Sequence, residues 1–546
     1  MNDTNPKTRG WGLWEVALIA GLALGLRLLH IEEVRHVDSY FHIMAAASWL
    51  RDGTLSIGGE VPYDRAYLFT YLVAAFQSLF GGTTFVSGLP AILAGVAWVA
   101  ALFIWVRSVA GRTAAWVAGL FFCFDIGSLA LAHMVRFYTL HGLAFFIGAI
   151  GLYYLVTRRP SLGTVAATGM VVIAAFWLSY HLQYTTVIGL IALAFWLVVE
   201  ISPTVLRYLR ERRVLTLALL VPVLVAVVVG GLLFLQSDIA ARYWRLFQGV
   251  PMWAESRGED LTYYILKMEG AYGFLWALSP LAAVIAIARY GRPAIFSVVL
   301  FAVPFVLHSL AAFQAERFLS YAMPFFFAIW GLAAAALLPQ LKSVARQAVY
   351  TVARIRLPGR IHSFATWGFL VILFAALAST GRSVWWDAYK FVVHNERPSR
   401  MTHPRWDQAA IQIKPLIESV DVVVISGGAA SYYYMDRVHV IAHTYYAAGA
   451  PEFSRFALMG VPAISQPESL ETLVRCNNSG LVAIDSRWGT DWGFSEKMVE
   501  VLQANAEPLE LPEDWGIHAY LWAHDAEVAK EIGCPILEAR RAPRLR

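Results

Sequence analysis

The chain has 546 residues, of which 58% are hydrophobic and 15% are charged, and its mean hydropathy is +0.56. An average soluble domain is about 25% charged, and a soluble protein of this length has too little interior to bury so many apolar side chains. This composition excludes a disordered chain, a collagen-like repeat and a disulfide scaffold, and indicates a polytopic membrane protein. The net charge of +5 does not indicate nucleic-acid binding, because Lys and Arg collect in the cytoplasmic loops of membrane proteins.

A transmembrane helix needs about 20 apolar residues to cross a hydrocarbon core of about 30 Å. About eleven stretches fit this length, the first as an uncleaved anchor, at residues 11–31, 88–106, 113–132, 139–157, 164–181, 184–201, 214–235, 263–288, 294–312, 320–338 and 363–380. A further span at 66–82 would move most loop Lys and Arg to the outer side, so the positive-inside rule favours a segment that lies on the outer membrane surface. The predicted N-terminus is cytoplasmic and the first outer loop covers about 32–87.

The composition changes after about residue 381, where long apolar runs stop. Buried-strand patterns occur at 421–428, 438–441 and 481–484, and helical spacing occurs at 406–419 and 495–505. We therefore expect a polytopic α-helical membrane bundle over residues 1–381 and a C-terminal extracytoplasmic α/β domain over residues 382–546. Cys476 and Cys534 both fall in the outer domain, where an oxidising compartment permits a disulfide, although their spacing does not decide it.

The first outer loop contains Asp38, within the sequence Arg-His-Val-Asp-Ser-Tyr-Phe-His that ends at His42. A carboxylate at the membrane surface can accept a proton from a hydroxyl group or bind a cation. The alternative is a helix N-cap, because a helical pattern follows, and the two roles are compatible. Asp64 and Arg65 lie further along the same loop, where the alternative is a solvated ion pair before a surface helix.

A second group of polar residues follows the third predicted span, at His133, Arg136 and Tyr138. A cation at the outer face suits a phosphate group, and the alternative is a side chain that reaches to the lipid headgroups. Asp125 lies within the outer half of that span, where an ionisable residue is costly and tends to be functional, although it could also be a structural partner of Arg136. No P-loop, dinucleotide fingerprint, zinc-protease motif or paired Cys-x-x-Cys motif occurs, so no nucleotide cofactor is expected.

These residues resemble those of GT-C membrane glycosyltransferases that use a polyprenyl-phosphate sugar, in particular the protein O-mannosyltransferase-like branch (family 39) and its aminoarabinose transferase relatives. The resemblance covers about residues 30–200, with a weaker match at 317–324. It is carried by four features in the outer loops: the acidic first loop at Asp38, the segment from Tyr63 to Gly81, Arg136-Phe-Tyr138, and the turn at His181. Where many members have Asp-Glu, this chain has Asp38-Ser39, so a second acid would come from Asp64 or Asp125.

Two short segments are also similar to oligosaccharyltransferase catalytic subunits. Asp38-Ser-Tyr-Phe-His is similar to their Asp-Pro-Tyr/Trp-Phe pattern, and the segment from Trp385 to Tyr389 is similar to their Trp-Trp-Asp-Tyr-Gly. In the second segment the Tyr is displaced by one position and the Gly is missing. An interfacial Trp anchor is the alternative there.

The resemblance implies an inverting hexosyl- or pentosyltransferase at the extracytoplasmic face of the inner or plasma membrane, with a polyprenyl-phosphate-linked sugar as donor and a hydroxyl group of a protein, lipid or glycan as acceptor. It implies Asp38 as general base, Arg136, Arg317 and Arg65 as ligands of the donor phosphate, and a set of residues that orient sugar or acceptor: Asp64, His133, Tyr138, His181 and Asp125. Clustered acids would allow a divalent metal, although the chemistry does not demand one. The alternatives are transfer of a lipid-linked glycan to protein and a non-enzymatic secondary transporter.

Overall fold

The computed structural model describes residues 12–31, 35–158, 160–211, 256–257, 260–353, 384–398, 401–426, 428–442, 452–485, 494–524 and 534–545. The chain forms two compact units. The first, here called the bundle unit, comprises Met1–Leu26, Ala94–Leu129 and Tyr138–Glu396. The second, here called the loop–sheet unit, comprises Arg27–Leu93, Ala130–Phe137 and Arg397–Arg546.

Helices dominate the first 396 residues. In chain order they are α1 (Leu13–Leu28), α2 (Ser39–Asp52), α3 (Tyr67–Phe80), α4 (Thr84–Ala110), α5 (Arg112–Cys123), α6 (Ile126–His133), α7 (Tyr138–Thr157), α8 (Leu162–Leu182), α9 (Thr186–Glu211), α10 (Tyr263–Tyr272), α11 (Phe274–Ala277), α12 (Ser279–Tyr290), α13 (Arg292–Ser309), α14 (Glu316–Leu319), α15 (Met323–Ala353) and α16 (Val384–Tyr389). A short 3-10 turn joins α14 to α15, a π-helical turn follows α16, and two-residue strands β1 (Ser256–Arg257) and β2 (Phe313–Gln314) pair antiparallel.

Six helical segments in the described part of the chain are long and apolar enough to cross a membrane: Thr84–Ala110, Tyr138–Thr157, Leu162–Leu182, Thr186–Arg207, Arg292–Ser309 and Glu316–Val344. Helices α5 and α6 meet the same test as a pair, but they are bent by 54° at the break between them. The protein is therefore a mostly helical membrane protein. The predicted spans 214–235 and 363–380 lie outside the described residues.

One predicted span is interrupted by a glycine. The sequence predicts one helix over 263–288, and the structure has α10, α11 and α12 there. The first break falls at Gly273, whose positive φ of 48° a continuing helix cannot adopt. The described part of the predicted span 11–31 contains α1, which has 16 residues. The surface segment expected at 66–82 forms α3, whose 14 residues span about 21 Å and are too short for a core of about 30 Å.

The C-terminal part of the loop–sheet unit contains a seven-stranded mixed sheet in the order β5-β6-β4-β3-β7-β9-β8. Its strands are β3 (Val422–Ile425), β4 (Val440–Ala442), β5 (Arg455–Phe456), β6 (Val461–Ile464), β7 (Ser479–Asp485), β8 (Glu507–Leu509) and β9 (Ile517–Ala523). Its helices are α17 (Trp406–Ile417), α18 (Ala429–Met435), α19 (Pro467–Cys476) and α20 (Glu496–Asn505). The predicted strands and helices in this region are confirmed.

The parallel centre of the sheet explains the continuous apolar run of β3. Strand β3 pairs parallel with both β4 and β7, and all four of its residues are buried. A parallel strand covered on both faces needs such a run, because neither face is open to water.

A disulfide joins Cys476, at the end of α19, to Cys534.

The first loop packs against the sheet region inside the loop–sheet unit. The Gly59 backbone N–H donates to the Leu458 carbonyl at 3.0 Å, and the Glu60 N–H donates to the Ala457 carbonyl at 3.1 Å. A Cβ atom at Gly59 would overlap the Ala457 carbonyl oxygen, so this close approach requires glycine. The domain boundary between residues 381 and 382 remains a prediction.

Candidate active site

Asp38 occupies the N-cap position of α2, but its side chain makes no capping hydrogen bond to the described backbone. Its carboxylate instead lies beside Arg136 and His36. The Oδ2 atom is 3.7 Å from Nη2 of Arg136 and 3.9 Å from Nδ1 of His36. The side chain is 30% exposed, so it is open to a ligand from outside. The N-cap interpretation is therefore correct for the position and does not account for the carboxylate.

Arg136 is the buried cation of this site, with 2% of its surface exposed. Its Nη1 atom donates to the Tyr63 hydroxyl at 3.3 Å and approaches the Asp38 carbonyl at 3.5 Å. A buried guanidinium needs such partners, because its charge is costly away from water. Ser39 holds the two segments together, since the Val135 backbone N–H donates to the Ser39 hydroxyl at 3.0 Å. The Ser that follows Asp38 thus has a positioning role.

Arg65 supplies a second positive charge. Its guanidinium lies over the Phe137 ring, 5.8 Å from the ring centre, and the Arg136 guanidinium lies 5.2 Å from the same centre. Arg65 and its neighbour Asp64 are exposed, and no described carboxylate lies within ion-pair distance of Arg65. The next residue, Ala66, has a positive φ of 48°, a costly conformation for a residue with a Cβ atom.

The site therefore has two arginines around one aromatic ring and one carboxylate beside them. The positive charge exceeds the negative charge among these residues. Arginines bind phosphate through several parallel hydrogen bonds, so the arrangement suits a phosphate group placed next to Asp38.

His42 belongs to the same site, since its ring contacts those of Tyr63 and Phe137, and the sequence alone predicts no role for it. It is completely buried, and its Nδ1 lies 2.8 Å from the Thr70 hydroxyl. Its Nε2 is buried without a hydrogen-bond partner among the described residues. Burial lowers the pKa of the imidazole well below its usual value, and the charges of Arg136 and Arg65 lower it further. The ring is therefore neutral at neutral pH. Its position four residues after Asp38 on α2 is the signal that could have found it.

His133 contributes its backbone to the framework of the loop–sheet unit. Its carbonyl oxygen accepts a hydrogen bond of 2.8 Å from Nη1 of Arg35. Asp38, Asp64, Arg65, His133 and Arg136, five of the predicted site residues, thus belong to one compact unit.

The other predicted site residues belong to the bundle unit. Asp125 accepts hydrogen bonds from the Ser128 backbone N–H at 2.7 Å, in the first turn of α6, and from the Tyr272 hydroxyl at 2.8 Å. Tyr138 is buried at the start of α7. These contacts place Asp125 in the helix framework of the bundle, and its orienting role remains a prediction.

The last two predicted residues lie near aromatic rings of the bundle unit. The His181 ring, in the last turn of α8, is 4.6 Å from the Trp177 ring. The Arg317 guanidinium, in α14, lies 5.3 Å from the Phe318 ring centre. Among the described residues there is no group of three or more His, Cys, Asp or Glu side chains that could hold a metal ion.

Comparison with solved structures identifies the fold. ArnT from Cupriavidus metallidurans, bound to undecaprenyl phosphate, matches 96% of this chain and 100% of its own, with a TM-score of 0.57 and 14% identity. Its apo state matches 93% of this chain and 98% of its own, with a TM-score of 0.57 and 17% identity. The archaeal oligosaccharyltransferase AglB from Archaeoglobus fulgidus, in complex with an inhibitory peptide and a dolichol-phosphate, matches 98% of this chain and 77% of its own, with a TM-score of 0.55 and 13% identity.

No protein-family model matches the sequence, and no curated protein matches it. The structural likeness extends over almost the whole chain and includes both ArnT states and AglB. The chain therefore has the GT-C fold of membrane glycosyltransferases.

Proposed function

We propose that the protein is an inverting glycosyltransferase that moves a sugar from a polyprenyl-phosphate carrier to a hydroxyl acceptor at the extracytoplasmic membrane face. The observation that carries the proposal is the pair of arginines around Phe137 beside Asp38. The GT-C fold supports it, since ArnT binds undecaprenyl phosphate and AglB binds dolichol-phosphate in the structures compared. The six candidate spans support a location in the membrane, where a polyprenyl-phosphate carrier is also held.

The proposed reaction uses Asp38 as the general base. Its carboxylate takes the proton of the acceptor hydroxyl while that oxygen attacks the anomeric carbon of the sugar. The bond from the anomeric carbon to the phosphate oxygen breaks, and its electron pair stays on the carrier phosphate. Attack opposite the leaving group inverts the anomeric configuration.

The arginines act on the leaving group. Arg65 and Arg136 stabilise the negative charge that develops on the carrier phosphate, and this is where pre-positioned cations contribute most to the rate. Arg317 is proposed as a third phosphate ligand. Sugar or acceptor would be oriented by residues of both units: Asp64, His133, Tyr138, His181 and Asp125. We also propose that the N-terminus is cytoplasmic and that residues 382–546 form an extracytoplasmic domain.

Lipid binding tests the phosphate part of the proposal. The full chain in lipid nanodiscs should bind undecaprenyl phosphate more tightly than undecaprenol, as measured by native mass spectrometry. Arg65→Gln removes an exposed charge and should weaken binding of the phosphate lipid roughly tenfold, the loss of one charged hydrogen bond. Arg51→Gln is the matched control, because Arg51 is 53% exposed and pairs with Asp52. Equal binding of the two lipids would contradict the proposal.

Transfer of a lipid-linked glycan to protein is the second candidate, supported by the likeness to the oligosaccharyltransferase AglB. Segment 384–389 forms α16, whose Trp386 is 54% exposed. Mass spectrometry of glycoconjugates from cells with and without the gene separates the candidates. Loss of a multi-sugar glycan from protein favours the second candidate, and loss of a single sugar from a hydroxyl group of a protein, lipid or glycan favours the first.

A further inference from the structure

The buried ring of His42 joins α2 to α3 beside the candidate site, and the proposed reaction gives it no task. Both His42 and Thr70 are completely buried, and Nδ1 of His42 lies 2.8 Å from the Thr70 hydroxyl. The ring also lies edge-on to three aromatic rings, with 5.2–6.0 Å between centres: Tyr63, Phe69 and Phe137. One side chain of α2 therefore contacts the chain on both sides of Arg65.

These contacts hold the segment from Tyr63 to Thr70 at both ends. At the first end, the Tyr63 ring stacks on the Phe41 ring, with 5.5 Å between their centres, and meets the His42 ring edge-on. At the second end, the Thr70 hydroxyl bonds to His42 in the first turn of α3. Arg65 lies between the two ends, so a shift of its backbone would disturb one of these contacts.

Ala66, directly after Arg65, has a backbone conformation that needs such support. Its φ of 48° and ψ of 45° lie in the left-handed region. A residue with a Cβ atom keeps this costly conformation only where its surroundings hold it in place. If the bond between His42 and Thr70 were lost, we expect Ala66 to relax and the preceding side chain to leave the Phe137 ring.

The His42 ring can hold this segment without adding charge to the site. Burial keeps the pKa of the imidazole well below its usual value, and the nearby guanidinium groups of Arg136 and Arg65 lower it further. We propose that His42 and Thr70 are positioning residues whose hydrogen bond holds Arg65 over the Phe137 ring, where it binds the carrier phosphate. This inference rests on the proposed function, because it gives the bond a task in phosphate binding.

The preference for undecaprenyl phosphate over undecaprenol tests the inference, measured by native mass spectrometry of the full chain in lipid nanodiscs. Thr70→Val removes the hydroxyl and nearly keeps the shape of the side chain. It should lower the preference by up to roughly tenfold, the loss of one charged hydrogen bond at Arg65. The affinity for undecaprenol should not change, whereas a general structural defect would lower both affinities. His42→Phe keeps a ring without the hydrogen bond and should act like Thr70→Val.

Two further variants separate the hydrogen bond from other effects on α3. Thr70→Ser restores the hydroxyl and should recover the preference. Ser87→Ala is the matched control, because Nε2 of Gln77 donates to the buried Ser87 hydroxyl at 2.9 Å near the other end of α3. It should keep the wild-type preference. Thermal unfolding shows whether each variant is folded.

A double variant shows whether the hydrogen bond acts through Arg65. Thr70→Val should have no further effect once Arg65→Gln is present, because two changes that remove the same interaction do not add. Full addition of the two effects would overturn the inference. A wild-type preference in both Thr70→Val and His42→Phe, with a reduced one in Arg65→Gln, would also overturn it and leave the proposed function standing. A wild-type protein that binds the two lipids equally would contradict the proposed function, and this inference with it.

Discussion

Asp38 and Asp52 lie at the two ends of α2 and have different surroundings. Asp38 lies within 4 Å of Arg136 and His36, whereas Asp52 is exposed and pairs only with its neighbour Arg51 among the described residues. The amide of Asn has nearly the shape of a carboxylate but cannot take a proton at neutral pH. A substitution at each position therefore separates catalysis from folding.

Asp38→Asn should reduce sugar transfer by about 10²–10⁴-fold, the usual contribution of a general base. Thermal unfolding and undecaprenyl phosphate binding should stay close to wild type. Transfer is measured by mass spectrometry of the glycoconjugate product. Asp52→Asn is the control and should retain full transfer. Wild-type transfer by Asp38→Asn would remove Asp38 from the mechanism.

Arg65 is exposed and Arg136 is buried, so their removal should lower the free energy of unfolding by different amounts. Arg136→Ala should weaken lipid binding and also lower the free energy of unfolding by about 1–3 kcal/mol, because Asp38 and Tyr63 lose a buried partner. Arg65→Ala should weaken lipid binding with almost no loss of stability, because the side chain is exposed. Denaturation curves and lipid titrations measure the two effects. Equal destabilisation by both variants would show that the two arginines are not the buried and exposed pair described.

Sequence patterns predict the strands and helices of the C-terminal sheet region, but they do not predict its contacts with the first loop. The run from Asp421 predicts β3 because four consecutive apolar residues must be buried on both faces of a parallel sheet. The hydrogen bond from Gly59 to Leu458 has no such local signal, because it joins distant parts of the chain. The break at Gly273 was missed for a related reason, since an isolated glycine in an apolar run is compatible with a helix.

His439, the residue directly before β4, makes a pH-sensitive hydrogen bond within the sheet. The Val423 backbone N–H donates to Nδ1 of His439 at 3.0 Å, so the imidazole takes a place that a carbonyl would hold in the β3–β4 ladder. Burial lowers the pKa of His439 to about 4, and Arg437 adds to the shift. The unfolded chain, with a pKa of about 6.5, binds this proton more tightly.

Acid should therefore destabilise the sheet through His439. Neutral His439 makes its full contribution to the free energy of unfolding above about pH 6.5. This contribution, about 3 kcal/mol in total, is lost as the pH falls towards about 4. His439→Asn removes the titrating group and should reduce the difference in unfolding temperature between pH 7 and pH 4.5. His394→Asn, at an exposed position, should not. An unchanged pH dependence in His439→Asn would show that this ring does not control acid stability.

At the scale of the whole molecule, the loop–sheet unit combines three separate stretches of the chain. GT-C architecture was predicted from the resemblance and is confirmed by the solved structures. The grouping of the first loop with residues after 396 could not be predicted, because it depends on contacts such as the 3.1 Å hydrogen bond between the Tyr40 and Tyr434 hydroxyl groups. Asp38 and Arg136 thus lie in a unit completed by the C-terminal region.

Gly59→Ala should reveal this dependence. The added methyl group overlaps the backbone at Ala457, so the first loop should separate from the sheet region and sugar transfer should fall although every proposed site residue is intact. The unfolding temperature should fall as well. Gly169→Ala is the control, because nothing lies within 4 Å of a Cβ atom there. Full transfer by Gly59→Ala would show that sugar transfer does not depend on the close contact between Gly59 and the backbone at Ala457.

The contact between Tyr40 and Tyr434 also sets an order of events during biosynthesis. The two residues are 394 positions apart, and a ribosome adds about 5–20 residues per second. The segment around Asp38 therefore waits for about 20–80 seconds, while later helices are inserted, before its partner exists. During that interval the first loop lacks the C-terminal part of its unit, so the unit that holds Asp38 and Arg136 can be completed only after residue 434 has been synthesised.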